Sequence, residues 1–215
     1  MIQLIGISGN AGAGKDTLGR YIYTHYKNVY KESFADPLKD ACSAAFGIPR
    51  ESFDDQMAKK LSDPYWRVSP RQIIQFVGTE VFREKINDLL SWSPNQENFW
   101  TRRLRGKLQG TLLLAEEGAY EDNDTIIVPD IRFQDEVDFI YQSKGVVISL
   151  QRSGHEGNVG ISNHISESGI SKLTFKPGAH YILENNGSIP DLYNQFEQIK
   201  SSLESVNHIN LTKET

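Results

Sequence analysis

Cysteine occurs once in the 215 residues, at Cys42. A single thiol excludes a disulfide within the chain and a cysteine-built zinc cluster. Its apolar, helical-looking surroundings read as core and not as a nucleophile's site. No run of about 18 apolar residues occurs, so no membrane-spanning helix and no membrane partner are expected. The N-terminus lacks a basic region ahead of an apolar stretch and cleavage site, which predicts a cytoplasmic protein. An excess of positive charge is missing too: 23 Lys and Arg against 28 Asp and Glu leave a formal charge of −5. Broad nucleic-acid binding needs a basic face to neutralise phosphates, so no nucleic-acid partner is expected. Internal repeats and low-complexity segments are also missing. What remains, 38% hydrophobic and 24% charged residues, is the composition of an ordinary globular chain, long enough for one buried core.

Against those absences stands one dense motif, Gly9-Asn10-Ala11-Gly12-Ala13-Gly14-Lys15-Asp16-Thr17. It follows the apolar run Ile2, Leu4, Ile5, Ile7 and precedes a helical stretch, Leu18 to Tyr26. Strand, glycine-rich loop and helix in that order make a phosphate-binding loop. Phosphate oxygens must be ringed by backbone N–H groups at close range, which only a glycine-rich turn permits. The helix N-terminus adds partial positive charge. Lys15 would then reach the β- and γ-phosphates. The pattern usually has Ser or Thr directly after the lysine; here Asp16 stands there and Thr17 follows. Asp16 either points away or meets the metal, and Thr17 is the expected metal-side hydroxyl, with helix capping as the competing role.

In chain order, Val29 to Phe34 reads as a second strand, and Asp36-Pro37-Leu38-Lys39 starts a helix. Gly47 to Tyr65 reads as loop or short helix. Ser69-Pro70-Arg71-Gln72 is a capping box. After it Ile73, Ile74, Val77 and Val81 predict a core stripe, while Arg71, Gln75, Gly78 and Phe82 share another face. Glycine in mid-helix costs about 1 kcal/mol against alanine, so either a packed helix or a ligand should use the space at Gly78. Residues 67–107 hold eight Lys or Arg against four acids, which suggests an anion site. A helix from Asn98 runs toward Leu114. Thr125 to Asp130 is a buried strand that should bring Asp130 and Arg132 to the ligand edge of a parallel sheet. Gly145 to Leu150 and His180 to Leu183 complete five strands, and Ile189 to Val206 reads as the last helix. The stretch 153–178, with His155, His164 and Glu167, is long for a connection and reads as a lid. The expected fold is α/β, a five-stranded parallel sheet of the P-loop NTPase kind with helices on both faces and an inserted helical lobe. As a single domain over 1–207, it would have a core at 1–46 and 118–207, an insertion at about 47–117, and a fraying tail at 208–215.

Taken together, Gly14-Lys15-Asp16-Thr17, Asp36-Pro37-Leu38-Lys39, Arg71 with Gly78-Thr79, Phe99-Trp100, Val128-Pro129-Asp130-Ile131-Arg132 with Glu136, and His164-Ile165-Ser166-Glu167 resemble the bacteriophage deoxynucleoside monophosphate kinases. The likeness runs in order over nearly the whole chain. It implies transfer of phosphate from ATP to a deoxynucleoside monophosphate with Mg²⁺, in the host cytoplasm if the protein is phage-encoded. It implies that Asn10, Gly12, Ala13, Gly14, Lys15, Asp16, Thr17, Arg152, Asn186 and Gly187 hold ATP. Leu38, Lys39, Arg71, Gly78, Thr79, Trp100, Asp130, Arg132 and Glu136 would surround the deoxynucleotide. Lys15, Arg71, Arg132 and Asp130 are the expected catalytic residues, and Trp100 either stacks on a base or packs the lobe. Competing readings are a kinase of another small phosphorylated acceptor, since phosphomevalonate kinases are similar in the same places, and a nucleotide-dependent regulatory binding protein. Oligomeric state is left open, with a homodimer allowed.

Overall fold

The computed structural model describes residues 2–90, 97–110, 120, 122–153 and 170–213. His155, His164 and Glu167, and with them most of the expected lid, lie outside the described residues. The chain divides into two compact units, residues 1–32 with 105–215, and residues 33–104.

The first unit is built on five strands: β1 (Gln3–Gly9), β2 (Val29–Lys31), β3 (Thr125–Ile131), β4 (Val146–Gln151) and β5 (His180–Glu184). They pair in parallel, as expected, and their order is β2-β3-β1-β4-β5. β1, β3 and β4 are near-continuous apolar runs because both faces of a parallel sheet are covered. On one face α1 (Lys15–His25) contributes Leu18 and Ile22. They pack with Ile5, Ile7 and Ile148, and with Phe196 and Leu203 of the C-terminal helix (Ile189–Asn207). On the other face Ile140, from the helix Gln134–Gln142, closes over Gly6 of β1. Each fully buried aliphatic side chain contributes about 1.5–3 kcal/mol.

Residues 208–213 are docked on the first unit and not frayed. Ile209 and Leu211 are buried in the core, Lys27 N donates to Thr212 O at 2.8 Å, and Lys213 bridges to Tyr26. Two apolar side chains at alternate positions suffice to dock an otherwise polar tail.

The second unit comprises α2 (Asp36–Phe46), short 3-10 turns at Arg50–Phe53 and Ala58–Lys60, α3 (Pro70–Gln75), a π-helix (Phe76–Lys85), α4 (Ile86–Leu90) and the start of α5 (Phe99–Leu108). The lobe therefore begins at residue 33 and not near 47, because α2 packs within it: Leu38 lies against Gly78. Cys42 is buried there, and burial pushes its thiol up to about 11, where it is inert. Numbered on from α5, the helices of the first unit are α6 (Gln134–Gln142) and α7 (Ile189–Asn207). Among the described residues, no helix is long and apolar enough to cross a membrane.

Candidate active site

β1 ends in the glycine loop, and the loop delivers the chain into α1. Gly14 has φ +100°, a left-handed conformation that favours glycine, and a Cβ built there would lie 2.5 Å from Asn185 Nδ2. The loop's own hydrogen bond runs from Ala13 N to Asn10 O at 3.1 Å. Lys15 Nζ curls back over the loop, donating to Gly9 O at 2.6 Å and Asn10 O at 2.9 Å. The ammonium is thus held against the carbonyls at the start of the loop. Asp16 is exposed, and Thr17 stands half-buried in the first turn of α1.

Three further strands bring residues to this loop. From the end of β5, Asn185 Nδ2 donates to Ala13 O at 2.9 Å; from the end of β4, Arg152 donates to Gly12 O at 3.2 Å. Asn186 Oδ1 accepts from Ser153 N at 2.8 Å, and Gly187 leads into Ser188, the N-cap of α7. On the other side, Ile131 of β3 is in register with Ser8 of β1, so Asp130 and Arg132 flank the level at which the loop starts. Glu136 is buried, and its Oε2 accepts from Arg132 N at 2.8 Å and Phe133 N at 3.1 Å. It therefore fixes the backbone that carries Arg132. Ser8 Oγ pairs with Ser149 Oγ at 2.7 Å, which meets His180 Nε2 at 2.8 Å; burial lowers the imidazole's pKa, so this strut stays neutral.

In the second unit, Ser69 and Gln72 form the expected capping box, Gln72 N to Ser69 Oγ at 3.3 Å and Ser69 N to Gln72 Oε1 at 2.9 Å. The faces beyond it are not those the apolar pattern predicts. Of the stripe only Ile73 is buried. Val81 is exposed, whereas Arg71, Gln75, Gly78 and Thr79 are buried. The helix changes from i→i+4 to i→i+5 bonding at Phe76, so residues beyond it leave the 3.6-residue wheel on which the stripe was drawn. Gly78 is used for close packing: a Cβ there would lie 2.5 Å from Leu38 Cδ2. Its carbonyl accepts from Trp100 Nε1 at 3.0 Å, and Trp100 is buried against Phe82 and Phe99. Of the two roles open to Trp100, packing the lobe is the one these contacts describe. Lys39 is neutralised by Asp54 at 2.8 Å and Asp36 at 3.0 Å. Burial lowers its pKa, but the two carboxylates outweigh that and hold it above the ordinary lysine value. Arg50 joins Asp36, Asp40 and Asp54 in the same network.

Asn185 and Gln75 were not among the expected site residues. Asn185 carried no signal beyond an Asn-Asn-Gly-Ser turn. Gln75 was visible only as a member of the face shared with Arg71 and Gly78.

A glycine loop with its lysine, set after the central strand of a 2-3-1-4-5 parallel sheet, defines a P-loop nucleotide-binding protein of the kinase kind. A model of the deoxynucleotide monophosphate kinase family matches residues 55–196, more than half of the chain. The chain belongs to the deoxynucleotide monophosphate kinase family and is a kinase. Curated relatives agree. A protein of Acanthamoeba polyphaga mimivirus that bears the same family name is 29% identical over 89% of this chain and 93% of its own. The deoxynucleotide monophosphate kinase of Enterobacteria phage T4 is 25% identical over 94% of this chain and 99% of its own. The deoxynucleoside-5'-monophosphate kinase of Escherichia phage T5 is 24% identical, over 79% and 86%. Family membership sets aside both the regulatory switch and the kinase of an unrelated acceptor.

Proposed function

We propose that the protein transfers the γ-phosphate of ATP to the 5'-phosphate of a deoxynucleoside monophosphate, as a cytoplasmic enzyme of deoxynucleotide supply. The observation that carries the reading is Lys15 held over the glycine loop by the Gly9 and Asn10 carbonyls. An acceptor phosphate oxygen forms a bond to the γ-phosphorus as the bond to the β–γ bridging oxygen breaks, and ADP leaves. A phosphate monoester is already largely ionised at neutral pH, so no general base is required. The work is charge neutralisation and alignment.

On the donor side, the loop amides of Gly12, Ala13 and Gly14 bind the β-phosphate, and Lys15 bridges β and γ. Arg152, Asn185, Asn186 and Gly187 brace the loop and the adenine end. Asp130 and Arg132 enter from β3, the arginine toward phosphoryl charge. Arg71 is assigned to the acceptor's monophosphate; Leu38, Gly78 and Thr79 shape the acceptor's surroundings, with Lys39 and Trp100 holding that lobe in form. Thr17 offers a hydroxyl oxygen and Asp130 a carboxylate oxygen, both partly exposed, and hard oxygen donors of this kind fit Mg²⁺. A magnesium site built largely on substrate phosphates needs only one or two protein groups, here Thr17 Oγ1 and Asp130. Held there, the ion would supply positive charge against the donor's phosphates.

The test is ADP release from Mg-ATP with each common deoxynucleoside and ribonucleoside monophosphate, with Lys15→Ala as control. Acceptor-dependent release that is lost in the control is the expected result; ADP release indifferent to every acceptor would sink the reading.

A further inference from the structure

Gln75 closes α3 and is 7% exposed, yet neither its carboxamide oxygen nor its nitrogen has a hydrogen-bond partner among the described residues. Buried amide groups are otherwise almost always satisfied, since desolvating one unpaired costs about 1–3 kcal/mol. A glutamine kept under that cost, where leucine or methionine would fill the same space, calls for a partner beyond the described residues. Its neighbours indicate which. Arg71 lies one turn before it, and Gly78 and Thr79 one turn after, all buried on the same side of the helix. The indole of Trp100 fixes the Gly78 carbonyl, and Leu38 fills the space over Gly78, so the rest of this face is rigidly packed. Both polar atoms of the amide are buried there without a partner among the described residues.

Resting on the acceptor assigned above, we infer that Gln75 reads the hydrogen-bonding edge of the acceptor's base. A carboxamide offers an acceptor and a donor side by side. Adenine and cytosine present an amino donor next to a ring-nitrogen acceptor; guanine and thymine present a carbonyl next to a ring N–H. Turning the amide over serves either order, and no described group fixes its orientation. One residue can therefore pair with any of the four bases, and the site is permissive where an amide pinned by the protein would select.

The experiment compares wild type, Gln75→Leu and Gln75→Glu, measuring kcat/KM with dAMP, dGMP, dCMP and dTMP, together with thermal melts. Gln75→Leu should lower kcat/KM for every acceptor by about tenfold or more, chiefly through the acceptor's KM. Its melting temperature should hold or rise, since an unpaired buried amide is removed. Gln75→Glu offers only acceptors, so it should reorder the bases toward guanine, whose N1–H and N2–H both donate, and away from thymine. Unmoved ratios among the four bases in Gln75→Glu, or a melting temperature that falls in Gln75→Leu, would overturn the assignment while leaving the kinase reading intact. Wild type without activity toward any deoxynucleoside monophosphate would overturn the acceptor reading and this inference with it.

Discussion

The side-chain amide of Asn185 donates to the carbonyl of Ala13 at 2.9 Å, joining the end of β5 to the glycine loop across 172 residues of chain. The bond sets the floor of the loop, because Gly14 passes so close that a Cβ would meet the same amide nitrogen. Asn185→Ala should loosen the loop without altering the residues proposed to bind the acceptor. The KM for ATP should rise by about two- to tenfold, the worth of one hydrogen bond. The KM for the monophosphate should stay as it was, and initial-rate kinetics with each substrate varied in turn separates the two.

Gly78 and Leu38 form a second close contact, confined to the lobe. Gly78→Ala forces the buried Leu38 side chain aside, and overpacking of that kind costs about 1–3 kcal/mol, against the roughly 1 kcal/mol that alanine gains over glycine in a helix. A net loss of stability is expected. In a Leu38→Ala background the clash is gone and the same substitution should stabilise by about 1 kcal/mol. Denaturant unfolding of the four proteins measures this reversal of sign; two losses of equal size would show that the contact is irrelevant.

A pH dependence follows from the cluster that fastens the C-terminal helix. Tyr21 donates to Glu197 Oε1 at 2.6 Å, Tyr26 shares the same oxygen at 2.5 Å, and Lys213 pairs with Oε2 at 3.1 Å. Burial first, then the bond to Glu197, pushes the Tyr21 phenol from its ordinary 10.0 up to about 12, and Tyr26 is raised for the same reasons. A phenol that ionises less readily folded than unfolded contributes stability fully present below pH 10 and lost as pH rises toward 12. Stability should therefore fall over that interval, and less steeply in Tyr21→Phe/Tyr26→Phe. Melts across alkaline pH, followed with phenolate absorbance, check both; identical slopes would refute the linkage.

How much of this was open to a reader of the sequence depends on how far apart the interacting residues lie. The glycine loop, the Ser69–Gln72 capping box, the apolar runs of β1, β3 and β4 and the place of Asp130 and Arg132 at the end of β3 are local features. Their causes, φ freedom, backbone capping and burial of both faces of a parallel sheet, act over a few residues and leave their mark in composition.

Only the tertiary structure decided the rest. That Ile209 and Leu211 dock instead of fraying depends on a core assembled from residues near the other end of the chain. That Val81 is exposed while Gln75 and Thr79 are buried depends on the switch to π-helical bonding at Phe76, which no periodicity of apolar residues announces. That Asn185 belongs to the loop, and that Leu38 occupies the space left by Gly78, depends on contacts between elements far apart in the chain, whose strength comes from packing and desolvation in three dimensions. The sequence by itself determined that this protein carries a P-loop of the nucleotide-binding kind, because that motif is written in adjacent residues. Tertiary structure decided which polar side chains are buried and which of those are paired within the fold, because burial is a property of neighbours that the chain brings together only by folding.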